Sequence, residues 1–292
     1  MNLVIVSCNY GRLGNRLHTH ANILAWCIKN NNNLINLSFI SYSNLFETQK
    51  HHSSDSYYIS RNLAFSLMKL NFIRNFIERL ILSKKWMRKL SLFLYYIEKD
   101  NFSTLEEQEL DLIKKNKIII INAWDIRCPN SLKLVGQGVK NLLIPSPCYL
   151  QKASSFVTYL KKSYNCLVGI HARRGDYKTY LGGKHFHSWE TYQNWILEVK
   201  NVLESKGYNR TGFILCSDDI PPSSILDYSF IHFAGTNHFM IDLHTLTLCD
   251  YNIGPPSSFG TWISWYGNVP RLIINKDTKI DNLENFSISN SC

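Results

Sequence analysis

Short apolar runs bounded by Gly, Asn, Asp or Pro alternate with longer stretches of helical periodicity along the chain. Continuous apolar runs are typical of strands buried on both faces of a parallel sheet, and apolar residues three or four positions apart are typical of packed helices. The pattern therefore predicts an α/β protein with parallel sheets. The predicted strands are 3–7, 34–40, 117–122, 166–171, 211–216, 229–233 and 270–275, and the predicted helices are 14–29, 62–97, 104–115, 149–163, 188–206 and 239–249.

This alternation also predicts two Rossmann-like domains. The segment from Cys128 to Cys148 holds three prolines and two glycines between two periodic regions, which is typical of a linker. We expect an N-terminal domain at 1–148, with a basic helical insertion at 61–99, and a C-terminal domain at 149–292. The helix at 104–115 is expected to begin with a capping box in which Ser103 or Thr104 precedes two glutamates.

Composition is that of a folded protein and leaves the partner of the basic segment open. Of 292 residues, 45% are apolar and 18% charged, and no apolar run approaches the roughly 18 residues of a membrane span. We therefore expect a soluble, intracellular protein. The net charge of +10 is concentrated at 61–99, where nine basic residues stand against two glutamates. A packed helix with a solvated basic face is favoured there over an anionic membrane surface, and nucleic acid is a third alternative without a supporting motif.

The first candidate for chemistry is the turn Gly11-Arg12-Leu13-Gly14-Asn15-Arg16, which follows the first predicted strand and opens a helix. Glycines at such a turn allow close approach of a ligand to the backbone, and a helix N-terminus favours anions. The spacing is neither that of a P-loop nor that of a dinucleotide-binding motif. A tight turn without a ligand is an equal alternative.

The second candidate is His171-Ala172-Arg173-Arg174-Gly175-Asp176-Tyr177, at the end of a predicted strand. Ligands of open α/β sheets bind beyond the carboxyl ends of the strands. Two adjacent arginines are costly to bury unless an anion or a carboxylate meets them. Because neighbours in an extended chain point in opposite directions, one arginine is expected to face the site while the other pairs with an acid. Phosphate binding is favoured over a purely structural ion-pair cluster around Asp176.

Two further segments close predicted strands. Cys216-Ser217-Asp218-Asp219 could bind a metal, a ribose or a basic partner, or could cap the next helix. Asp242–Asp250 predicts a helix with Asp242 near its start, and the Ser257-Ser258-Phe259-Gly260 step after it offers hydroxyl groups and free backbone N–H groups to an anion.

Metal binding is not expected. The chain has no D-x-D of the kind that holds Mg²⁺ or Mn²⁺ on a nucleotide diphosphate, no C-x-x-C among its eight cysteines, and no H-E-x-x-H. If phosphates are bound, arginine side chains and helix N-termini must therefore supply the positive charge.

In this order, the four segments resemble the fucosyltransferase superfamily, specifically the bacterial α-1,2-fucosyltransferase-like enzymes of glycosyltransferase family 11. Gly11–Arg16 is similar to the family's G-x-x-G-N-Q stretch, and His171–Tyr177 matches its H-x-R-R-G-D-Y motif, the most specific signal. Ser217–Asp219 matches its S-D-D step, and Asp242–Trp265 resembles its C-terminal D…C…S-S-F…W…W region. The resemblance spans roughly residues 3–275.

The resemblance implies a GT-B-like α/β fold, with two Rossmann-like domains facing a central cleft and the sugar nucleotide held mainly by the C-terminal one. It implies an inverting, metal-independent transfer of fucose from GDP-fucose to a glycan hydroxyl, with an α-1,2-type linkage. No cofactor is needed beyond the donor substrate. The implied catalytic residues are Arg173, which would contact the diphosphate, His171, which would lie beside the nucleotide, and Asp176.

The resemblance implies further donor-binding residues in both domains. Asp242 would accept hydrogen bonds from the guanine N1–H and amine. Phosphate would be held by the hydroxyl groups of Ser257 and Ser258 and by the backbone N–H of Phe259. The remaining implied donor-side residues are Gly14 and Asn15 in the N-terminal domain and Asp218 in the C-terminal domain.

The acceptor side and the base are less defined. Arg16 stands where the family has Gln, and His18 and His20 flank a threonine where the family has F-Q-Y. We expect these three residues, with Asp125, on the acceptor side. The candidate bases are His18, His20, Asp125 and Asp176, and a good leaving group lowers the demand for a base.

The predicted function is a fucosyltransferase that builds a cell-surface polysaccharide or O-antigen. Its expected partners are a GDP-sugar donor and a glycan or lipid-linked oligosaccharide acceptor, and no nucleic acid. The expected location is the cytoplasm, with peripheral contact to the cytoplasmic face of the inner membrane left open. The alternatives are a GT-B transferase for another GDP-sugar, and a non-catalytic binder of anionic glycan or nucleic acid that uses the 61–99 segment.

Overall fold

Both halves of the chain contain a parallel sheet, so the predicted α/β class is confirmed. The chain divides into two compact units, Met1–Ile144 and Pro145–Asn290. The computed structural model describes residues 2–7, 11–47, 94–99, 103–235 and 237–290. Within these ranges no helix is long and apolar enough to cross a membrane.

The N-terminal unit is built on a four-stranded parallel sheet. Its strands are β1 (Leu3–Val6), β2 (Asn33–Asn36), β3 (Leu94–Glu98) and β5 (Ile118–Asn122). A separate two-stranded sheet pairs β4 (Thr104–Glu106) with β6 (Asp125–Arg127). The strand order is β2-β1-β5-β3. Val4 lies opposite both Leu34 and Ile119, and all three are buried because their side chains point to the same covered face of the sheet.

A buried carboxylate connects the three helices described in this unit. These are α1 (Leu13–Lys29), α2 (Glu107–Ile113) and α3 (Pro129–Leu142). Glu107, only 2% exposed, accepts hydrogen bonds from Lys29 Nζ at 2.9 Å and Ser131 Oγ at 2.7 Å. A buried charge is stable only with such partners, so Glu107 fixes α1 and α3 against α2.

Two helix predictions in this unit are wrong at their bounds. Residues 94–97 of the predicted 62–97 helix belong to β3, and 62–93 lie outside the described residues. The predicted 104–115 helix begins later, because 104–106 pair as β4 and the capping box joins Glu106 to Glu109. The predicted linker at 128–148 contains α3, which begins at Pro129 because the first helical position tolerates a residue without a backbone N–H. The chain passes from one unit to the other within this segment, after Ile144.

The C-terminal unit is a five-stranded, doubly wound parallel sheet with the order β11-β10-β7-β8-β9. Its strands are β7 (Cys166–Ala172), β8 (Thr211–Ser217), β9 (Ile231–Phe233), β10 (Tyr251–Gly254) and β11 (Arg271–Ile273), and its helices are α4 (Pro147–Leu160), α5 (Trp189–Ser205), α6 (Ser223–Leu226), α7 (Phe239–Thr247) and α8 (Ser258–Gly267). The sequence pattern missed β10. Apolar side chains of β7 and β8 pack with Tyr192 and Ile196 of α5 in the core.

The winding of this sheet reverses between β7 and β10. From β7 the chain proceeds outward through β8 and β9, and it then returns to the other side of β7 to form β10 and β11. In open α/β sheets such a reversal leaves a crevice at the carboxyl ends of the two central strands, where ligands bind. The topology therefore points to the residues that follow β7 and β10.

Candidate active site

The residues after β7, β8 and β10 come together at one edge of the C-terminal sheet. His171 lies opposite Cys216 in the register of β7 and β8, and Ile170 lies opposite Ile253 of β10. Because the strands are parallel, the segments that follow them share this edge. It carries His171–Asp176, Ser217–Asp219 and Gly254–Phe259.

Arg173 is held by an acid three residues further along the chain. Its Nε donates to Asp176 Oδ1 at 2.9 Å and its Nη2 to Asp176 Oδ2 at 2.6 Å. Its guanidinium also lies 4.5 Å from the ring centre of Tyr177. Burial by itself lowers the pKa of Arg173, but hydrogen bonding to Asp176 raises it overall. Arg173 therefore carries a fixed positive charge in a partly exposed position.

Arg174 has a different environment, although it is adjacent in sequence. It is 8% exposed, and its guanidinium lies between the rings of Phe186 and Trp189, at 4.6 and 4.5 Å. Nε donates to Asp219 Oδ2 at 3.1 Å, and Nη1 donates to the carbonyl of His187. The two arginines were expected to differ in that only one would pair with an acid. In the structure each pairs with its own carboxylate.

Asp218 holds the turn that carries both arginines. Its Oδ1 accepts the backbone N–H of Arg174 at 2.7 Å and that of Gly175 at 3.1 Å. A Cβ on Gly175 would lie 2.7 Å from Asp218 Oδ2, so glycine is needed for this close approach. Asp218 thus acts on the site through the backbone of the turn.

His171 is neutral and stacked. Its ring lies 4.7 Å from that of Phe259, with 28° between the planes. Burial lowers the pKa of His171 to about 3, and the charges of Arg271 and Arg173 lower it further. Its Nδ1 is buried without a hydrogen-bond partner among the described residues. His171 therefore offers an uncharged ring and a vacant ring nitrogen at the end of β7.

The N-terminus of α8 lies next to this ring. Ser257 caps the helix by accepting the backbone N–H of Gly260 at 3.0 Å. Ser258 and Phe259 form the first turn of α8, where the helix dipole places partial positive charge. Such a turn favours a negatively charged group. Ser257, Ser258 and Phe259 are all half-buried.

Asp242 occupies the first turn of α7, close to the end of β8. Its Oδ1 is buried without a hydrogen-bond partner among the described residues. Burial raises the pKa of Asp242 to about 7, although a hydrogen bond with the Cys216 thiol lowers it. An unpartnered buried carboxyl oxygen is costly. A ligand with N–H donors would satisfy it.

The predicted residues Gly14, Asn15 and Arg16 belong to the N-terminal unit, in the first turn of α1. Gly11 before them has φ of 73°, and a Cβ there would lie 2.5 Å from Asn15 Nδ2. Arg16 donates from Nε to the Gly11 carbonyl at 3.0 Å and from Nη1 to the Ser38 carbonyl at 2.8 Å. Backbone carbonyls thus orient this arginine.

The expected acceptor-side residues His18, His20 and Asp125 differ in exposure. His18 and His20 are 5% and 2% exposed. The His20 ring stacks on Phe39 at 4.1 Å, and burial lowers the pKa of His20 to about 3. Asp125 is more open, with 22% of its side chain exposed, and it pairs with Arg127 Nε at 2.8 Å. Of these three, only Asp125 has an ionisable group that solvent reaches.

Sequence reasoning missed two residues at the carboxyl edge of the C-terminal sheet. Tyr177 lies within the motif segment, but no role was assigned to its hydroxyl group, which donates to the Pro256 carbonyl at 2.7 Å. Arg271 was read only as part of an apolar strand, yet it is 5% exposed and charged. A charged residue inside an otherwise apolar run is the signal that could have revealed it.

No group of three or more His, Cys, Asp or Glu side chains that could hold a metal ion occurs among the residues the structure describes. The positive charges described at this edge come from Arg173, Arg174 and Arg271. The site as a whole combines a cationic, hydrogen-bond-donating side with one buried, unsatisfied carboxyl group.

The sequence matches no protein-family profile, and no curated protein is similar to it in sequence. Solved structures of low identity do share its fold. A mutant of Arabidopsis thaliana FUT1 in complex with GDP is 14% identical, with a TM-score of 0.60 over 95% of this chain and 71% of that one. Fucosyltransferase NodZ from Bradyrhizobium is also 14% identical, with a TM-score of 0.56 over 95% of this chain and 96% of that one.

A third structure, NodZ α-1,6-fucosyltransferase soaked with GDP-fucose, is 12% identical, with a TM-score of 0.54 over 94% of this chain and 96% of that one. The chain therefore has the GT-B-type fold of these fucosyltransferases, as the motif resemblance implied. At such identities the likeness establishes the fold.

Proposed function

We propose that the protein is a glycosyltransferase of the fucosyltransferase superfamily that moves fucose from GDP-fucose to a glycan hydroxyl group, in the manner of glycosyltransferase family 11. The observation that carries the proposal is the buried, unpartnered Oδ1 of Asp242. The Asp242 side chain contacts Cys216 near the end of β8, and Cys216 lies opposite His171 at the edge that carries Arg173. Guanine presents two adjacent N–H donors, and a carboxylate can accept both.

The cationic side of the crevice suits a diphosphate. When GDP departs, negative charge builds on its β-phosphate, and a fixed guanidinium can stabilise that charge without a metal ion. Arg173 has this property, because Asp176 engages Nε and Nη2 and leaves Nη1 for a ligand. The first turn of α8, with Ser257, Ser258 and the Phe259 N–H, would hold the remaining phosphate oxygens.

The transfer would be inverting and metal-independent. The acceptor oxygen attacks the anomeric carbon as the bond to GDP breaks, and the acceptor proton passes to a base or to water. His18 and His20 are buried, and burial lowers the pKa of His20 to about 3, so the partly exposed Asp125 and Asp176 are the better candidates for a base. In this proposal the N-terminal domain at 1–148 carries Arg16 on the acceptor side and Gly14 and Asn15 on the donor side, and the donor domain spans 149–292.

The proposed product is an α-1,2-linked fucose on a polysaccharide or O-antigen precursor. The acceptor would be a glycan or a lipid-linked oligosaccharide on the cytoplasmic face of the inner membrane. The basic segment at 61–93, whose charge suits an anionic surface, would provide peripheral membrane contact.

The test is GDP release from GDP-fucose and from GDP-mannose in EDTA, with and without a panel of oligosaccharides. The proposal expects release from GDP-fucose alone, faster with one class of acceptor. Release from GDP-mannose alone would assign the fold to another GDP-sugar. If the folded protein releases GDP from neither donor, the enzymatic proposal is wrong, and binding of anionic glycan through 61–93 becomes the leading alternative.

A further inference from the structure

Arg271 is the most deeply buried arginine described in the C-terminal unit, at 5% exposure. It opens β11, next to β10. Its Nη2 donates to the Pro255 carbonyl at 2.6 Å, and its Nη1 donates to Thr261 Oγ1 at 3.4 Å. Both partners are uncharged, and none of the ion pairs among the described residues includes Arg271. Burial lowers the pKa of its guanidinium to about 10, so the group stays charged at neutral pH.

A buried charge without a counter-charge is costly. The two neutral hydrogen-bond partners of Arg271 satisfy its N–H groups but leave its charge uncompensated. Unlike Arg173 and Arg174, it has no carboxylate that compensates its charge within the part of the chain that the structure describes.

The first turn of α8 is adapted to this guanidinium. A Cβ on Gly260 would lie 2.4 Å from the guanidinium carbon of Arg271, so only glycine lets the charge lie against the helix backbone. Thr261, the next residue, presents its hydroxyl group to the same guanidinium.

The same guanidinium fixes the turn that leads into α8. Arg271 binds the carbonyl of Pro255, and Tyr177 binds the carbonyl of Pro256. These two bonds determine where Ser257 begins the helix. The charge of Arg271 also acts on His171, which stacks on Phe259 of α8, and it contributes to the lowered pKa of that histidine.

We propose that Arg271 is a positioning residue for the diphosphate of the donor. It holds the Pro255–Ser257 turn so that the first N–H groups of α8 face the phosphates, and its uncompensated charge adds to that of the helix N-terminus. The bound anion supplies the counter-charge that the protein lacks. This inference rests on the proposed function, in which α8 holds phosphate.

The test compares Arg271→Met, Arg271→Lys and, as a matched control, Arg210→Met, which removes an exposed arginine of the same unit. Affinities for GDP, guanosine and inorganic pyrophosphate are measured by calorimetry in EDTA, together with the melting temperature. We expect Arg271→Met to weaken the binding of GDP and of pyrophosphate at least tenfold and to change the affinity for guanosine less than twofold, and the melting temperature shows that the variant is folded. Arg271→Lys keeps the positive charge but loses the planar guanidinium. Its affinities for GDP and pyrophosphate should therefore lie between those of the wild type and those of Arg271→Met. Arg210→Met should match the wild type.

The measurements distinguish failure of this inference from failure of the proposed function. Equal losses for GDP and guanosine with a lower melting temperature would indicate a purely structural arginine. Unchanged GDP affinity in Arg271→Met would contradict the inference while leaving the fucosyltransferase proposal intact. If pyrophosphate binding depends on Arg271 but guanine nucleotides are not preferred, the inference stands and the proposed donor is wrong. If the wild type binds neither GDP nor pyrophosphate, both proposals fail.

Discussion

The guanidinium of Arg173 and the carboxylate of Asp176 form two parallel hydrogen bonds, Nε to Oδ1 at 2.9 Å and Nη2 to Oδ2 at 2.6 Å. Their side chains are 23% and 31% exposed, and solvent-screened pairs of this kind contribute only about 0–1 kcal/mol to stability. The pair therefore orients Arg173 more than it stabilises the fold. This geometry holds the guanidinium in an orientation in which it can bind an anion.

Replacing Arg173 should separate activity from stability. We expect Arg173→Ala to lower GDP release from GDP-fucose by at least ~100-fold, because the charge that stabilises the departing β-phosphate is lost. The free energy of unfolding should change by less than about 1 kcal/mol. Turnover assays and urea denaturation measure the two effects. Turnover near the wild-type rate would remove Arg173 from the catalytic residues.

Replacing the neighbouring residue Arg174 should, in contrast, lower the free energy of unfolding. Arg174 is stacked between Phe186 and Trp189 and bonded to a buried carbonyl, so Arg174→Ala should cost about 2–4 kcal/mol of unfolding free energy. Arg174→Lys should cost less, because the aliphatic chain still fills the space. Urea denaturation gives both values. A loss below 1 kcal/mol for Arg174→Ala would contradict the structural role assigned here.

This contrast shows what the sequence could and could not provide. The two arginines occupy one motif, and their position after a buried strand is readable from the apolar run before them. Their separate partners cannot be predicted from the sequence, because Asp219 follows another strand, Phe186 lies in the loop after the motif and Trp189 begins α5. The environment of Arg271 could not be predicted for the same reason, because it is formed by the turn after β10 and by the first turn of α8.

The strands and helices also differ in how well the sequence predicts them. The central strands β7 and β8 are predicted well because continuous apolar runs report burial on both faces. The sequence of β3, LYYIE, favours helix only because it continues the helical spacing of the basic segment before it, and the strand is defined by its pairing with β5. Helix α3 was read as a linker because its proline and glycines suggest turns, yet Pro129 begins the helix and Gly138 faces solvent.

The raised pKa of Asp242 gives the protein a pH-dependent stability. The folded-state pKa, about 7, exceeds the ordinary value of 3.8, so between these values the folded protein holds a proton that the unfolded chain releases. Stability from this group is therefore full at pH 4, declines as the pH rises to 7, and stays lower above it. Asp242→Asn should raise the melting temperature at pH 8 and leave it nearly unchanged at pH 4. Parallel melting curves of the two proteins from pH 4 to 8 would contradict this assignment.

The affinity for a guanine ligand should also depend on the ionisation of Asp242, but it should rise with pH where the stability falls. The guanine donors require the ionised carboxylate, so guanosine affinity should fall about tenfold for each pH unit below 7 and level off above it. Guanosine is the suitable probe because it carries no titrating phosphate. Calorimetry between pH 5 and 8 measures the slope, and an affinity independent of pH would show that Asp242 does not ionise on binding.

Two glycines in helices should respond oppositely to alanine. Gly138 in α3 has no atom within 4 Å of an added Cβ, so Gly138→Ala should stabilise the protein by about 0.5–1 kcal/mol. Gly260→Ala should instead displace the Arg271 guanidinium and weaken GDP binding. In an Arg271→Met background the same change should have little further effect on GDP affinity. Additive losses in that double variant would show that Gly260 acts independently of Arg271.

The central claim, a guanine-nucleotide site on the C-terminal unit, is tested most directly by thermal stabilisation with GDP, GDP-fucose, UDP and ADP in EDTA. A ligand at 100 times its dissociation constant adds about 2.7 kcal/mol to the stability of the folded state. The account predicts that GDP and GDP-fucose alone raise the melting temperature of the wild type, and that neither raises that of Asp242→Asn. Equal stabilisation by UDP and ADP, or none by any nucleotide, would contradict it.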